Sequence, residues 1–257
     1  MPESIHYKIE FLHEIDLLRQ CLEIQKKAWG FSAEEVLPLR MLIVCTKIGG
    51  QVLGAVQREG KVIGFVNAIP GFREGSVFLH SQMMGVLPEY QNLGIGKSLK
   101  LAQRDEALNR GIDWIEWTFD PFEIRNARFN IELLGAICRR FYVNTYGITS
   151  SHLHAGLPTD RLVAEWHLSS ARVKSRIGSG PSPVEQSVQD TSVEIPLDIA
   201  ELRLRNPERA LKVQLEFRER IMPVLCQNYF VTGFEIDTIR QKARYNLKKF
   251  SEHALRQ

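Results

Sequence analysis

Residues 80–111, HSQMMGVLPEYQNLGIGKSLKLAQRDEALNRG, constrain the fold more than any other stretch of this chain. The run Val77–Val86 is largely apolar or β-favouring. It reads as a strand that stops at Leu87-Pro88, where proline has no N–H to continue a ladder. A loop follows, Gln91-Asn92-Leu93-Gly94-Ile95-Gly96, then a helix from about Lys97 to Arg110, with Gly111 in the place of a C-terminal glycine. A strand, a glycine-rich turn and a helix start aim free backbone N–H groups and the positive end of the helix dipole at one point. That arrangement suits a phosphate. Two glycines separated by one residue let the backbone approach an anion with no Cβ between. The plain alternative is a tight strand-to-helix turn without a ligand.

Three phosphate motifs compete for this loop. Gln91 stands where a P-loop needs its first glycine, so Gly96-Lys97-Ser98 is only a fragment of that signature. Leu99 stands where a dinucleotide fingerprint needs its third glycine. A nucleotide-binding ATPase or kinase is therefore disfavoured. The pattern Gln-x-x-Gly-x-Gly, preceded by VLPEY and followed by a helix, is similar to the pyrophosphate loop of the GNAT superfamily of acyl-CoA-dependent N-acyltransferases. The resemblance runs from about Ile9 to Leu168.

Composition sets the outer bounds. An apolar share of 44% with 25% charged residues is that of a soluble globular chain with a real core. A net charge of +3 without a long basic stripe gives no reason to expect nucleic acid. No run approaches the roughly 18 apolar residues of a membrane span, so no membrane is expected. The start, MPESIHYKIE, lacks the charged-then-apolar pattern of a signal peptide, and a cytoplasmic location is expected. Cys21, Cys45, Cys138 and Cys226 form no CxxC pair and read as buried free thiols rather than disulfides or a zinc site.

Taken in order, Glu14–Trp29 reads as an amphipathic helix closed by Gly30. Pro38–Thr46 is a short apolar run that fits helix or strand. Gln51–Gln57 and Lys61–Ile69 read as a hairpin around Arg58-Glu59-Gly60, ended by Pro70-Gly71. After the central strand, loop and helix, Ile112–Phe119 reads as a strand and Asn126–Leu134 as a short helix. Ala136–Asn144 and Arg161–Leu168 read as further strands. The fold class is α/β: a mixed, mostly antiparallel GNAT-like sheet with helices on both faces, plus a C-terminal α+β extension. The division expected is 1–168 as the acyltransferase domain, 169–192 as a Ser/Gly/Pro-rich flexible linker or exposed loop, and 193–257 as the extension. In that extension Val193–Ile199 looks extended and Asn206-Pro207 starts a helix. That helix has an apolar face, Ala210, Val213, Phe217, Ile221 and Val224, that needs covering by its own chain or by a second copy in a homodimer. Tyr229–Ile236 reads as a strand and Thr238–Ala254 as a last, basic helix.

The resemblance implies a site. In the family the strand before the loop and the next strand splay apart around the pantetheine of acyl-CoA; here these are Leu79–Val86 and Ile112–Phe119. Met84, Gly85, Val86, Gln91, Asn92, Leu93, Gly94, Ile95, Gly96 and Lys97 would bind the cofactor, with a backbone N–H near Met84 or Gly85 as oxyanion donor. Gly85 suits a bulge or a close ligand approach. Asn126 matches an asparagine that contacts pantetheine. Ile131 stands where many members carry a tyrosine as general acid, which leaves that role to Tyr142, Tyr146 or water. WTFDPFEIRNARFNIELLGA, FYVNTYG and LPTDRLVAEWHL also resemble one branch of the family, some members of which occur alongside N-acylamino acid racemases.

Acylating an amine needs a base for the ammonium proton and donors for the oxyanion. His80, eleven residues before Gln91, is the candidate base, since an imidazole accepts a proton near neutral pH; a strand histidine satisfied by the backbone is the alternative. Glu116 is the second candidate, unless it faces solvent or pairs with a lysine. Arg125 and Arg161 could each hold a substrate carboxylate through two parallel bonds, or form ordinary ion pairs. The expected reaction is transfer of an acetyl or succinyl group from acetyl-CoA or another acyl-CoA to a small-molecule amine, possibly a free amino acid. No metal is expected, because His152 and His154 lack an acidic or cysteine partner at ligand spacing. A module that binds acyl-CoA without turnover, as a sensor or regulatory subunit, is the alternative.

Overall fold

The computed structural model describes residues 5–149, 151, 154–179 and 191–249. The chain divides into two compact units, one reaching to Ile115 and including Ser151, the other built from Glu116 onward.

The first unit is a sheet with helices on both faces. Its strands are β1 (Lys8–Phe11), β2 (Gln51–Val56), β3 (Val62–Arg73) and β4 (Ser76–Val86), antiparallel in that order. Helices α1 (Ile15–Trp29) and α2 (Leu39–Lys47) join β1 to β2, and α3 (Ile95–Asn109) follows β4. Side chains alternate along a strand, so each strand feeds two cores. Val52 and Phe65 pack with Leu18, Ile24 and Leu42 of α1 and α2. Leu53, Ile63 and Val66 pack with Ile95 and Leu99 of α3.

The run Pro38–Thr46, open between helix and strand, is the helix Leu39–Lys47 with Pro38 at its N-cap. Two readings change here. Pro70-Gly71 does not end β3, which continues to Arg73 and turns directly into β4. The pairing of β2 with β3 reaches only to Ala68, so the N–H that Pro70 lacks faces no β2 partner. The bulge in β4 lies at Gln82, where the register jumps from Met83 opposite Asn67 to Ser81 opposite Ala68. Gly85 stays paired with Phe65, and a Cβ there would meet the Trp29 ring at 2.9 Å. Its glycine accommodates close packing, not a bulge.

Strand β5 (Trp114–Phe119) begins in the first unit and ends in the second. Helix α4 (Ile124–Arg128) then runs into a π-helical turn, Phe129–Leu133. Strands β6 (Ile137–Tyr142), β7 (Arg161–His167), β8 (Thr191–Pro196), β9 (Tyr229–Asp237) and β10 (Lys242–Lys249) belong to the second unit, where the strand order is β5-β7-β6-β9-β10-β8. Helices α5 (Ala171–Ser179), α6 (Ile199–Arg205) and α7 (Pro207–Cys226) connect them.

The segment read as a flexible linker starts with α5. Arg172 donates to the carbonyls of Gly135, Ile131 and Thr232, and Arg176 pairs with Glu132 at 3.0 Å. Residues 180–190 lie outside the described residues. The last basic helix is instead β10: Ala243, Tyr245 and Leu247 are all buried, a period of two that belongs to a strand. The C-terminal part of that reading, from residue 250, lies outside the described residues. Cys226 is exposed, unlike the other three cysteines. No helix among the described residues is long and apolar enough to cross a membrane.

Asn206 caps α7 by accepting from the Arg209 N–H, with Pro207 at the first helical position. The apolar face of α7 is covered within its own unit: Phe217 packs edge-on against Phe122 and at a tilt against Phe141 and Tyr245. Replacing Phe217 with alanine is expected to destabilise this unit by about 3–5 kcal/mol, read as a lower urea midpoint; an unchanged midpoint would contradict that packing.

Candidate active site

The turn after β4 is a short 3₁₀ helix, Pro88–Tyr90, followed by an exposed loop. The Gln91 amide donates to the Val86 carbonyl at 3.1 Å and folds the loop back onto the strand end. Asn92 and Gly94 both have positive φ, 64° and 82°. Gly94 is the N-cap of α3, and no side chain caps that helix. The first-turn N–H groups are thus left for an external acceptor, and the first turn carries Lys97 and no acidic residue. A Cβ on Gly94 would point into open space, whereas one on Gly96 would point at Met84, 3.5 Å away. Of the two glycines, Gly94 opens the mouth of the loop; a Cβ on Gly96 would make only ordinary van der Waals contact with Met84.

His80 lies half-buried on β4 opposite Ile69. Ile69, Phe65 and Met83 pack on the α1 and α2 side, and the register places His80, Met83 and Gly85 on that same face. Met84 and Val86 face α3. The bulge residue Gln82 accepts a hydrogen bond from the buried Asn67 amide at 3.1 Å. The first unit therefore brings His80, Met84–Val86 and Gln91–Lys97 onto one strand, turn and helix.

The remaining candidates belong to the second unit. Glu116 is buried and paired with Arg140 at 2.5 Å, in place of the solvent or lysine expected. Arg140 also reaches Glu165 at 3.1 Å, and Arg139 closes on the same carboxylate through its Nε at 2.9 Å. A carboxylate held this way is a poor proton acceptor. Asn126 is exposed at α4, its Oδ1 accepting from Asn130 at 3.2 Å, and its neighbour Arg125 is also exposed. Arg161 is 7% exposed. Its guanidinium donates to the Asp160 carbonyl and to His154 Nε2 at 2.9 Å, and lies 3.9 Å from Asp120. Since Arg161 can only donate, His154 accepts there and gives its Nδ1 proton to Thr149 at 2.7 Å. His152 lies outside the described residues.

Ile131 is fully buried in the π-helical turn. Tyr146 is 55% exposed, with its hydroxyl 2.9 Å from Thr118 Oγ1 on β5. The Thr159 hydroxyl accepts the Tyr146 N–H and the Asn144 side chain accepts the Thr159 N–H, so the loop presenting this phenol is tied down. Sequence reasoning missed the Arg139–Arg140 pair. The one available signal was two arginines in succession within a short strand beside a buried glutamate.

Burial pulls Glu165 upward, but hydrogen bonds from His167 and Arg139 and the charges of Arg139 and Arg140 hold its carboxyl below the usual 4.5. A folded-state value below the unfolded one contributes stability above about pH 4.5 that is lost as pH falls through the depressed value. Glu165→Gln should therefore lose stability at pH 7 and show a shallower further loss on acidification than wild type. Parallel urea midpoints at pH 7 and pH 3.5 would contradict this.

Residues 18–130 match the acetyltransferase (GNAT) family. No curated protein matches the chain. Among solved structures, the ribosomal-protein-S18-alanine N-acetyltransferase of Escherichia coli is similar at 20% identity, over 65% of this chain and 96% of that one, with a TM-score of 0.51. The putative acetyltransferase yncA of Salmonella typhimurium, solved with acetyl-CoA, is similar at 18% identity, over 64% and 95%, with a TM-score of 0.53. A putative acetyltransferase of Acinetobacter baylyi is similar at 13% identity, over 66% and 97%, with a TM-score of 0.53. The three likenesses show a shared fold. The uncapped, glycine-opened start of α3 lies inside residues 18–130, the stretch that matches the acetyltransferase (GNAT) family.

Proposed function

We propose that this protein transfers a short acyl group, acetyl or succinyl, from its CoA thioester to a small primary amine that carries a carboxylate, a free amino acid being the simplest such acceptor. The observation that carries the cofactor half of this reading is the α3 N-terminus, with its unclaimed N–H groups, Lys97 in the first turn and the open mouth at Gly94. Pyrophosphate would lie over Gln91–Lys97, with Met84, Gly85 and Val86 beside the pantetheine. Asn126 would meet that arm through its side-chain amide.

In the chemistry, His80 accepts the ammonium proton, directly or through water, and the neutral amine attacks the thioester carbonyl. A backbone N–H at Met84 or Gly85 would hold the oxyanion, and the sulfur leaves with a proton from Tyr146, Tyr142 or water. His80 is preferred to Glu116 because that carboxylate is already committed to Arg140. Arg125, exposed at α4, is preferred to Arg161 as the clamp on a substrate carboxylate, because Arg161 is buried and bonded to its own neighbours.

The test is release of free thiol from acetyl-CoA and, separately, succinyl-CoA, with amino acids, their amides, polyamines and short peptides as acceptors. Free amino acids should react fastest, Arg125→Ala should raise their KM, and His80→Ala should lower turnover by roughly 10²–10⁴. Amides or polyamines reacting equally well would remove the carboxylate clamp. Near-normal rates for His80→Ala across pH 6–9 would remove the base. No thiol release with any acceptor, alongside tight CoA binding, would favour a module that binds acyl-CoA without turnover.

A further inference from the structure

Lys100 sits on the sheet-facing side of α3 and is only 2% exposed. Its Nζ donates to Ser81 Oγ at 2.8 Å and to Gln103 Oε1 at 3.0 Å, and both of those residues are buried as well. Burial pushes its ammonium well below the ordinary lysine value. A methionine or leucine here would fill similar space without removing a cation from water. Packing alone does not ask for a lysine.

The partner it holds is informative. Ser81 lies between His80 and Gln82, the bulge residue of β4. Successive side chains on a strand point to opposite faces, so the Ser81 side chain turns to α3 while His80 turns to the α1 and α2 side. Gripping Ser81 from below therefore fixes the backbone that carries His80 above. The bulge beside it is a place where ladder pairing is interrupted and the strand is otherwise free to shift. Lys100 stands one helical turn after Gly96, on the helix whose N-terminus forms the candidate pyrophosphate cradle. One hydrogen bond thus ties that helix to the segment of β4 bearing the candidate base.

We propose that Lys100 is a positioning residue for acyl transfer: through Ser81 it locks the bulged segment His80–Met83 of β4 onto α3, so that the base keeps a fixed place relative to a CoA thioester held by that helix. This rests on the reading of His80 and the α3 cradle given above.

The experiment is a double-mutant cycle of Lys100→Met and Ser81→Ala, with kcat measured as thiol release from acetyl-CoA and the fastest amine of the acceptor panel. CoA affinity is measured separately by calorimetry. Each single variant should lower kcat by roughly 10- to 100-fold, the scale of a small misplacement of a catalytic group. The double variant should be no slower than the slower single one, because both delete the same bond. The Kd for CoA should stay within about twofold, a split that general loss of structure would not produce. Wild-type kcat in both singles, multiplicative losses in the double, or a CoA Kd that weakens in step with kcat would each overturn the proposal. If Lys100→Met fails to fold, Ser81→Ala, which removes only a hydroxyl, carries the test alone. His80→Ala is assayed beside them. A wild-type rate in that variant removes the base assignment, whereas a slow His80→Ala beside fast Ser81→Ala and Lys100→Met removes only the role of Lys100.

Discussion

An α-helix that begins without a cap leaves its first N–H groups needing an acceptor, and the candidate site depends on where α3 does so. Gly94 holds the left-handed conformation that lets the chain swing from the end of β4 into the helix, and it leaves the space in front of those donors empty. Everything else in the first unit fixes that geometry. The α1 and α2 core presses on one face of β4 and the α3 core on the other. Trp29 fills the space above Gly85, and the Lys100–Ser81 bond crosses between helix and strand. The unit therefore joins a candidate anion cradle to a strand that bears the half-buried His80.

The second unit solves a different problem, the burial of many charges. Glu165 is shared by Arg139 and Arg140, and Arg140 also takes Glu116. Asp120 is taken by Arg203 at 2.8 Å, and Asp160 by Arg218 at 2.9 Å and by the Asn144 N–H. Each carboxylate is buried and each is satisfied, which is the condition for keeping such groups inside. These networks also decide which sequence candidates stay available for chemistry. Glu116 and Arg161 are absorbed by them, while Arg125 and Tyr146 keep exposed surface.

Where one physical signal dominates, the sequence was legible. Val77–Val86, the QNLGIG loop and the helix behind it appear within a residue or two of their observed bounds, because proline, paired glycines and apolar spacing all point the same way there. Asn206-Pro207 marked the start of α7 for the same reason. The misses share a cause. Thr238–Ala254 carries enough basic residues to suggest a solvated helix, yet Ala243, Tyr245 and Leu247 read at period two once a neighbouring strand buries them. The Ser- and Gly-rich composition of 169–192 hid α5, which is anchored by the buried Val173, by Arg172 on backbone carbonyls and by Arg176 on Glu132. The bulge at Gln82 and the bond from Lys100 to Ser81 depend on strand register, which local composition does not encode.

Calorimetric titration of CoA into the wild-type protein and Gly94→Val decides whether the start of α3 holds CoA. Valine at φ 82° would be strained and would place carbon atoms in the empty space before the helix donors, on an exposed loop that the cores do not need. CoA should bind the wild type and not Gly94→Val, with the far-ultraviolet circular dichroism of the two proteins superimposable. Equal CoA affinity in the two folded proteins would contradict it.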